Sequence, residues 1–308
     1  MKTATLILLF AFPLSAAAQG MFVPDGLGRA DLGRPWINAG AGYSDAGGLT
    51  KRSASLNSGT PLGSAGGAKF SLNAAFAHNR ILEDGWLPPE LYDAGLQLSV
   101  RGEKNFFTAG LRSSSDRPFN SMNETDVSAN YARTISNSGP HSWTAGLTYS
   151  TRRSFARHIP FPYVAYNYNS EKFSFRLPFS VSWRPEKKYE FSAAYMPPKY
   201  GQISASLKAS RALTLKAEFV LSAAQYDLAG RADKKDSVFV EQPGAGLRTS
   251  YRAADGWAFS LYTGCTLGGR YYRGRTYDNY RDKVHLGGAP AVSLGLTRLF
   301  GLPLRPNK

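Results

Sequence analysis

Residues 289–300 read APAVSLGLTRLF, from Ala289 to Phe300. Val292, Leu294, Leu296 and Phe300 share one parity; Ser293, Gly295 and Thr297 share the other. A period of two is what a β-strand makes when one face meets apolar surroundings and the other does not. A helix would scatter the same residues around its circumference. This stretch therefore predicts a strand with one greasy face.

The same rhythm recurs upstream. Phe70, Leu72 and Phe76 alternate with Lys69, Ser71 and Asn73, and Leu96, Leu98 and Val100 with Gln97, Ser99 and Arg101. Trp143, Leu147 and Tyr149 oppose Thr144, Gly146, Thr148 and Ser150. Phe173, Phe175, Leu177, Phe179, Val181 and Trp183 oppose Ser174, Arg176, Ser180, Ser182 and Arg184, which reads as one strand with a bulge at Pro178. Leu213, Leu215, Ala217, Phe219 and Leu221 oppose Thr214, Lys216, Glu218, Val220 and Ser222. Asp45 to Gly67, Gly230 to Gln242 and Gly268 to Gly288 lack a clean period and read as long loops. Gly102 to Lys104, Pro185 to Lys188, Arg211-Ala212 and Ala253 to Gly256 read as short turns. No helix longer than a turn or two is predicted.

The expectation is an all-β, antiparallel chain of about 12–14 strands. Threading back from Phe300 places the 230–242 and 268–288 loops on one side, and the Arg211-Ala212 and 253–256 turns on the other. In the first half the short 102–104 turn falls among the long loops and the long Ser114 to Glu124 segment among the turns, so a strand is split or missed there.

The N-terminus reads as a secretory signal. Lys2 supplies the positive region, Leu6 to Leu14 the apolar region and Ala16-Ala17-Ala18 the small-residue site, so residues 1–18 are expected to be removed. Residues 19–35 read as a Gly- and Pro-containing lead-in, 36–300 as the folded body and 301–308 as a tail. No later run approaches the ~20 apolar residues of a membrane-spanning helix; Arg101, Lys104, Arg112, Asp116, Arg176 and Arg184 interrupt every candidate. An exported all-β chain is then either a soluble sandwich or a closed membrane barrel. The polar parity is mostly Ser, Thr, Gly and Asn, which suits a wet lumen. Trp36, Trp86, Tyr92, Trp143, Tyr163, Trp183, Tyr189 and Trp257 gather near strand ends, as interfacial girdles do. Closure pairs every backbone group, as lipid demands. These features favour the barrel.

The formal net charge is +15, and loss of Lys2 leaves 36 basic against 22 acidic residues. Basicity alone can indicate nucleic acid. Export and the scatter of the charges exclude it here and favour anionic lipopolysaccharide or anionic solutes. The single Cys265 cannot form an internal disulfide. His78, His141, His158 and His285 have no second ligand at metal spacing, and no phosphate-binding or dinucleotide glycine pattern occurs, so no metal or cofactor is expected. His141-Ser142 is the sole adjacent base–nucleophile pair, but neighbours in a strand point to opposite faces, so no enzyme is expected.

The final strand resembles the C-terminal assembly signal of bacterial outer-membrane β-barrels. It departs from it at Arg298 and in the residues that follow Phe300. With the signal peptide and hairpin rhythm, the whole mature chain resembles porin-like outer-membrane barrels, including barrels catalogued as domains of unknown function. The resemblance implies residence in the outer membrane of a Gram-negative bacterium, and contact with the barrel-assembly machinery through Val292–Phe300. It also implies outer-membrane lipid and lipopolysaccharide as neighbours.

Two candidate sites follow. Arg101, Arg112, Arg176, Arg184, Lys208, Lys216 and Arg248 fall on or near the polar parity, so a barrel would carry them in its lumen, where they would favour anions. Arg270, Tyr271, Tyr272, Arg273 and Arg275 mix cations with rings in the 268–288 loop, a composition suited to lipopolysaccharide phosphates or a sugar. The expected function is a passive pore for small, preferentially anionic solutes. The alternatives are a closed barrel with a structural or adhesive role and, behind it, a lipid-modifying enzyme.

Overall fold

A computed structural model describes residues 34–45, 49–82, 85–153, 158–177, 180–196, 200–253, 256–276 and 279–301. The signal segment 1–18, nearly all of the 19–35 lead-in and residues 302–308 of the tail lie outside the described residues.

The chain forms β1 (Trp36–Asp45), β2 (Thr50–Ala65), β3 (Ala68–Leu82), β4 (Glu90–Arg101), β5 (Asn105–Ser115) and β6 (Thr125–Ser138). β7 (His141–Ser150), β8 (Phe161–Asn169), β9 (Phe173–Leu177), β10 (Ser180–Trp183) and β11 (Tyr189–Met196) follow. β12 (Tyr200–Lys208), β13 (Leu213–Tyr226), β14 (Ser237–Arg252), β15 (Trp257–Gly274) and β16 (Arg281–Leu299) complete it. Each strand pairs antiparallel with its sequence neighbours, and β16 returns to β1 over Trp36↔Leu299 to Ser44↔Ala291, which closes the barrel.

The barrel is apolar outside. Leu294, Leu247 and Ile203 are 61%, 61% and 63% exposed, whereas Thr297, Ser204 and Glu218 are 2%, 6% and 6% exposed. Val292, Leu294 and Leu296 face out, and their partners across β15 (Thr263, Leu261 and Phe259) share that face. Among the described residues forty large apolar side chains are exposed. A water-soluble protein does not tolerate such a continuous apolar surface, and a lipid-embedded barrel requires one. His141, Trp143, Tyr166, Tyr168 and Phe173 meet on the outer wall at the end of the short 139–140 turn, with Trp143–Tyr166 and Tyr168–Phe173 centroids 4.9 and 6.1 Å apart. This is an interfacial aromatic girdle.

The sixteen strands exceed the twelve to fourteen expected, for two reasons. The 45–67 stretch is mostly β2, a 16-residue strand, rather than a loop. Second, the Phe173–Trp183 run is a hairpin, with Val181 paired to Phe175 and Ser180 to Arg176. Counting both of its arms in the thread back from Phe300 restores the alternation: the 102–104 turn joins the short-turn side and the 116–124 segment the long-loop side. The 230–242 and 268–288 loops are also shorter than expected, because β14 begins at Ser237, β15 runs to Gly274 and β16 starts at Arg281.

Wall height is uneven. β14, β15 and β16 have 16, 18 and 19 residues, while β9 and β10 have five and four. Next to the short hairpin, β8 pairs with β9 only over Tyr166↔Leu177 to Asn169↔Ser174.

Three rings expected in the girdle lie elsewhere. Trp36 is 3% exposed on the lumen face, where its indole covers Gly59. Tyr163 also points inward, and its hydroxyl donates to Asn130 Oδ1 at 3.0 Å. Trp86 sits in the β3–β4 loop, edge-on to Tyr271 at 5.1 Å. Each follows a lumen or loop position rather than the lipid-facing parity.

Candidate functional site: the lumen and its mouth

Strand pairing carries one parity round the whole ring, so the lumen lining can be traced residue by residue. Arg112 pairs with Gly95 and Asp126, Lys216 with Ser206 and Arg248, and Arg248 with Tyr262, all facing inward. Arg101, Arg176 and Lys208 share that parity, and Arg184 continues it past β10. The structure thus places all seven basic residues on the lumen side. Lys51, Lys69 and Arg252 join them through their pairings with Ile81, Arg101 and Ala258. Lys51 was hidden in the segment read as a loop. Four lumen carboxylates accompany these ten cations below the mouth: Asp93, Asp126, Glu190 and Glu218.

Several of the cations are held by carboxylates. Glu218 accepts from Lys216 Nζ at 2.7 Å, from Arg248 Nη2 at 2.8 Å and from Gln202 Nε2 at 3.2 Å. Arg184 donates to Glu190 at 3.1 Å, and Arg112 to Asp93 at 3.2 Å. Arg101, at the short-turn end, lies 5.3 Å over the Phe106 ring. One carboxylate between two cations leaves local positive charge on the β13–β14 wall. The lining between these charges is Ser, Thr, Asn, Gln and Gly, such as Ser99, Gln97, Ser192 and Ser260, all partly exposed to the interior. A sixteen-stranded ring is wide enough to hold an aqueous channel.

The long-loop end is narrowed by two structures. Leu49, Ile81, Leu87, Leu91, Tyr226, Val238, Tyr271 and Leu286 form a buried apolar cluster. They come from the upper inner faces of β3, β4 and β13 to β16 and from the β1–β2 and β3–β4 loops, so the cluster fills one side of the mouth. The β13–β14 loop then crosses to the opposite wall. Asp227 N–H donates to Ser114 O at 2.8 Å, Ala229 N–H to Asp116 Oδ1 at 2.8 Å, and Arg231 reaches Glu124 Oε1 at 3.2 Å and Asn123 O at 2.6 Å. β5 and β13 stand eight places apart in a ring of sixteen, yet the end of β13 lies directly against β5, so opposite walls of the barrel meet at this end. Under the bridge Tyr226 donates to Asp93 Oδ2 at 3.4 Å, and Ser114 Oγ donates to the same carboxylate. Arg153 is 2% exposed beside the crossing and donates to Ile159 O at 3.0 Å; burial lowers its pKa, opposed by the Asp126 charge.

The five residues of the second candidate site do not converge. Arg270 and Tyr272 both bind Glu241 at 2.6 Å on the face of β15 opposite to Tyr271. Tyr271 is 1% exposed in the apolar cluster. Arg273 lies 4.2 Å over the Trp86 ring and pairs with Asp282 at 3.4 Å. Arg275 binds Asp233 at 2.7 Å in the neighbouring loop. His141 and Ser142 take opposite faces; the His141 ring meets the Tyr166 hydroxyl at 2.6 Å on the outside, while Ser142 pairs inward with Asn167.

No protein-family model and no curated protein matches the chain. Solved structures with a similar course are outer-membrane channels and porins. The COG4313 outer membrane channel from Pseudomonas putida F1 has a TM-score of 0.42 at 8% identity, covering 90% of this chain and 99% of that one. A mutant porin of Rh. blastica has a TM-score of 0.33 at 11% identity, covering 87% and 99%. The FrpB iron transporter from Neisseria meningitidis has a TM-score of 0.35 at 10% identity, covering 87% and 81%. At such scores the barrel assignment rests on its own closed ladder of strands.

Proposed function

We propose that the chain is an outer-membrane channel that passes small solutes and prefers anions. The observation that carries this reading is the lumen census: ten cations on the inward parity below the mouth against four carboxylates among the described residues. A surplus of fixed positive charge in a narrow aqueous passage raises the local anion concentration and repels cations. The apolar cluster occupies the β13-to-β4 side of the mouth, so the path runs along the β6-to-β12 side. The bridge across the mouth makes the passage narrow, and small solutes are the cargo it suits.

The same bridge favours a second reading, a closed barrel with a structural or adhesive role. Purified protein in planar bilayers under a KCl gradient separates the two. The expected result is a small conductance with a reversal potential toward that of chloride. Replacing Glu218 by Gln should push it further in that direction, because Lys216 and Arg248 lose their counter-charge. A cation-selective reversal would overturn the anion preference, and absence of conductance would choose the closed barrel.

A further inference from the structure

We propose that the mouth of the barrel carries a binding site for a soluble phosphate-bearing anion, built where the crossing loop meets the opposite wall. A cavity of about 430 Å³ there is lined by Asn123, Arg152, His158, Lys234, Lys235 and Arg275. Its volume falls within the range of small-molecule sites. Among the described residues four cations and an imidazole line it and no carboxylate does, although Asp227 and Asp233 pair with Arg152 and Arg275 from behind the lining.

The lining comes from four loops. Asn123 lies in the β5–β6 connection, Arg152 and His158 in β7–β8, Lys234 and Lys235 in β13–β14, and Arg275 in β15–β16. The β7–β8 and β15–β16 connections are eight places apart on the ring. A cavity that both of them line sits within the mouth, between opposite walls, and not on the lipid-facing rim. That position selects a solute arriving from the medium over a lipopolysaccharide headgroup, although both carry the same phosphate chemistry.

Several donors are already fixed in place. Arg152 Nη2 donates to Met122 O at 2.6 Å and to Asn123 Oδ1 at 3.4 Å, which anchors the guanidinium at the cavity wall. Lys234 Nζ donates to Ala229 O at 2.9 Å, and Arg275 is oriented by Asp233 at 2.7 Å. His158 is held at φ +61°, its N–H bonded to Ser150 O at 3.1 Å. A non-glycine residue kept in the left-handed region is strained, and such strain gathers at ligand sites. Phosphate offers several acceptor oxygens and up to two negative charges, which matches convergent ammonium and guanidinium donors.

Titration calorimetry on the full-length barrel in detergent tests this without recourse to conductance, so its outcome is separate from that of the channel reading. The probes are pyrophosphate, inorganic phosphate and lipopolysaccharide. Saturable binding of pyrophosphate is expected, weakened at least about tenfold in Lys235→Ala and in Lys234→Ala, each a loss of one charge-assisted contact. Lys187→Ala, on a short turn at the other end, removes the same charge and should leave the affinity unchanged. Heat-modifiable gel migration verifies that each variant is folded. The proposal is overturned by absence of saturable binding to either soluble anion, by an unchanged affinity in both loop variants, or by equal weakening in Lys187→Ala. Binding of lipopolysaccharide alone would overturn the assignment to a solute.

Discussion

Replacing Arg231 by Ala should unlatch the loop that crosses the mouth. The Arg231 side chain is 7% exposed and that of its partner Glu124 is fully buried. Arg231 ties the loop to the far wall through Glu124 Oε1 at 3.2 Å and Asn123 O at 2.6 Å, and braces the loop internally through Lys234 O at 3.2 Å. Truncating one member of a buried ion pair costs about 3–5 kcal/mol, because the other charge is stranded. Water can reach the rim once the loop moves, so the low end, about 3 kcal/mol, applies. The remaining ties, Asp227 N–H to Ser114 O and Ala229 N–H to Asp116 Oδ1, contribute about 1 kcal/mol each. The closed-to-open ratio should therefore fall by about a hundredfold. Hydrogen exchange of backbone amides 227–236 in lipid discs reads the opening, and single-channel recordings read its effect on the passage. Faster exchange confined to that loop, with a larger conductance, is expected. The double variant Arg231→Ala/Glu124→Ala should recover part of the loss, since no carboxylate is left stranded. Exchange unchanged within about threefold would refute the latch, because loss of the ion pair should speed it about a hundredfold.

Two further outcomes follow from geometry already described. A Cβ at Gly146 would lie 2.5 Å from Tyr131 O and 2.5 Å from the Tyr163 ring, so Gly146→Ala should displace Tyr163 from Asn130 and cost about 1–3 kcal/mol in urea unfolding from lipid vesicles; an unchanged midpoint would contradict the packing. The Lys235 N–H and then Arg275 hold the Asp233 carboxylate below its ordinary pKa of 3.8. A depressed folded value means that this contribution to loop order is complete above the unfolded pKa and fades only as pH falls through the lower one. Amide protection at 233–236 should therefore hold from neutrality to about pH 4 and drop below it, whereas loss near pH 6 would assign the titration to another group.

Much of the barrel was legible because lipid-facing strands write their parity in large side chains, as β7, β13 and β16 do. β2 wrote almost nothing: Leu56 is the one large apolar residue in its central outward row Arg52, Ala54, Leu56 and Ser58. The β9–β10 reversal was masked by arithmetic. Arg176 and Ser180 pair across it, four residues apart, so both arms keep their apolar residues at odd numbers and the hairpin reads as one strand. The seven lumen cations were readable from parity alone. Glu218 was readable as a partner of Lys216, two residues away on the same parity, but its tie to Arg248 was not, because strand register rather than sequence spacing joins them. The crossing loop was likewise out of reach: a tie between Arg231 and Glu124 depends on where a closed ring brings its far side, which no local pattern encodes. The 268–275 segment misled for a related reason. A register shift between Tyr271 and Arg273 breaks the period there and made strand resemble loop.

The stunted β9–β10 pair has a mechanical consequence for the membrane itself. Five residues at ~3.4 Å each, inclined by ~40°, raise a stave only ~13 Å high. The hydrocarbon slab a barrel must match is ~25 Å. Acyl chains beside Phe175 and Val181 must therefore compress, while those beside β14 to β16 need not. The annulus of lipid round this protein is lopsided, thin on one flank and full on the other. Elastic strain of that kind gives a molecule a preferred bearing toward its neighbours, because two thinned flanks set side by side share one dimple in the bilayer instead of making two.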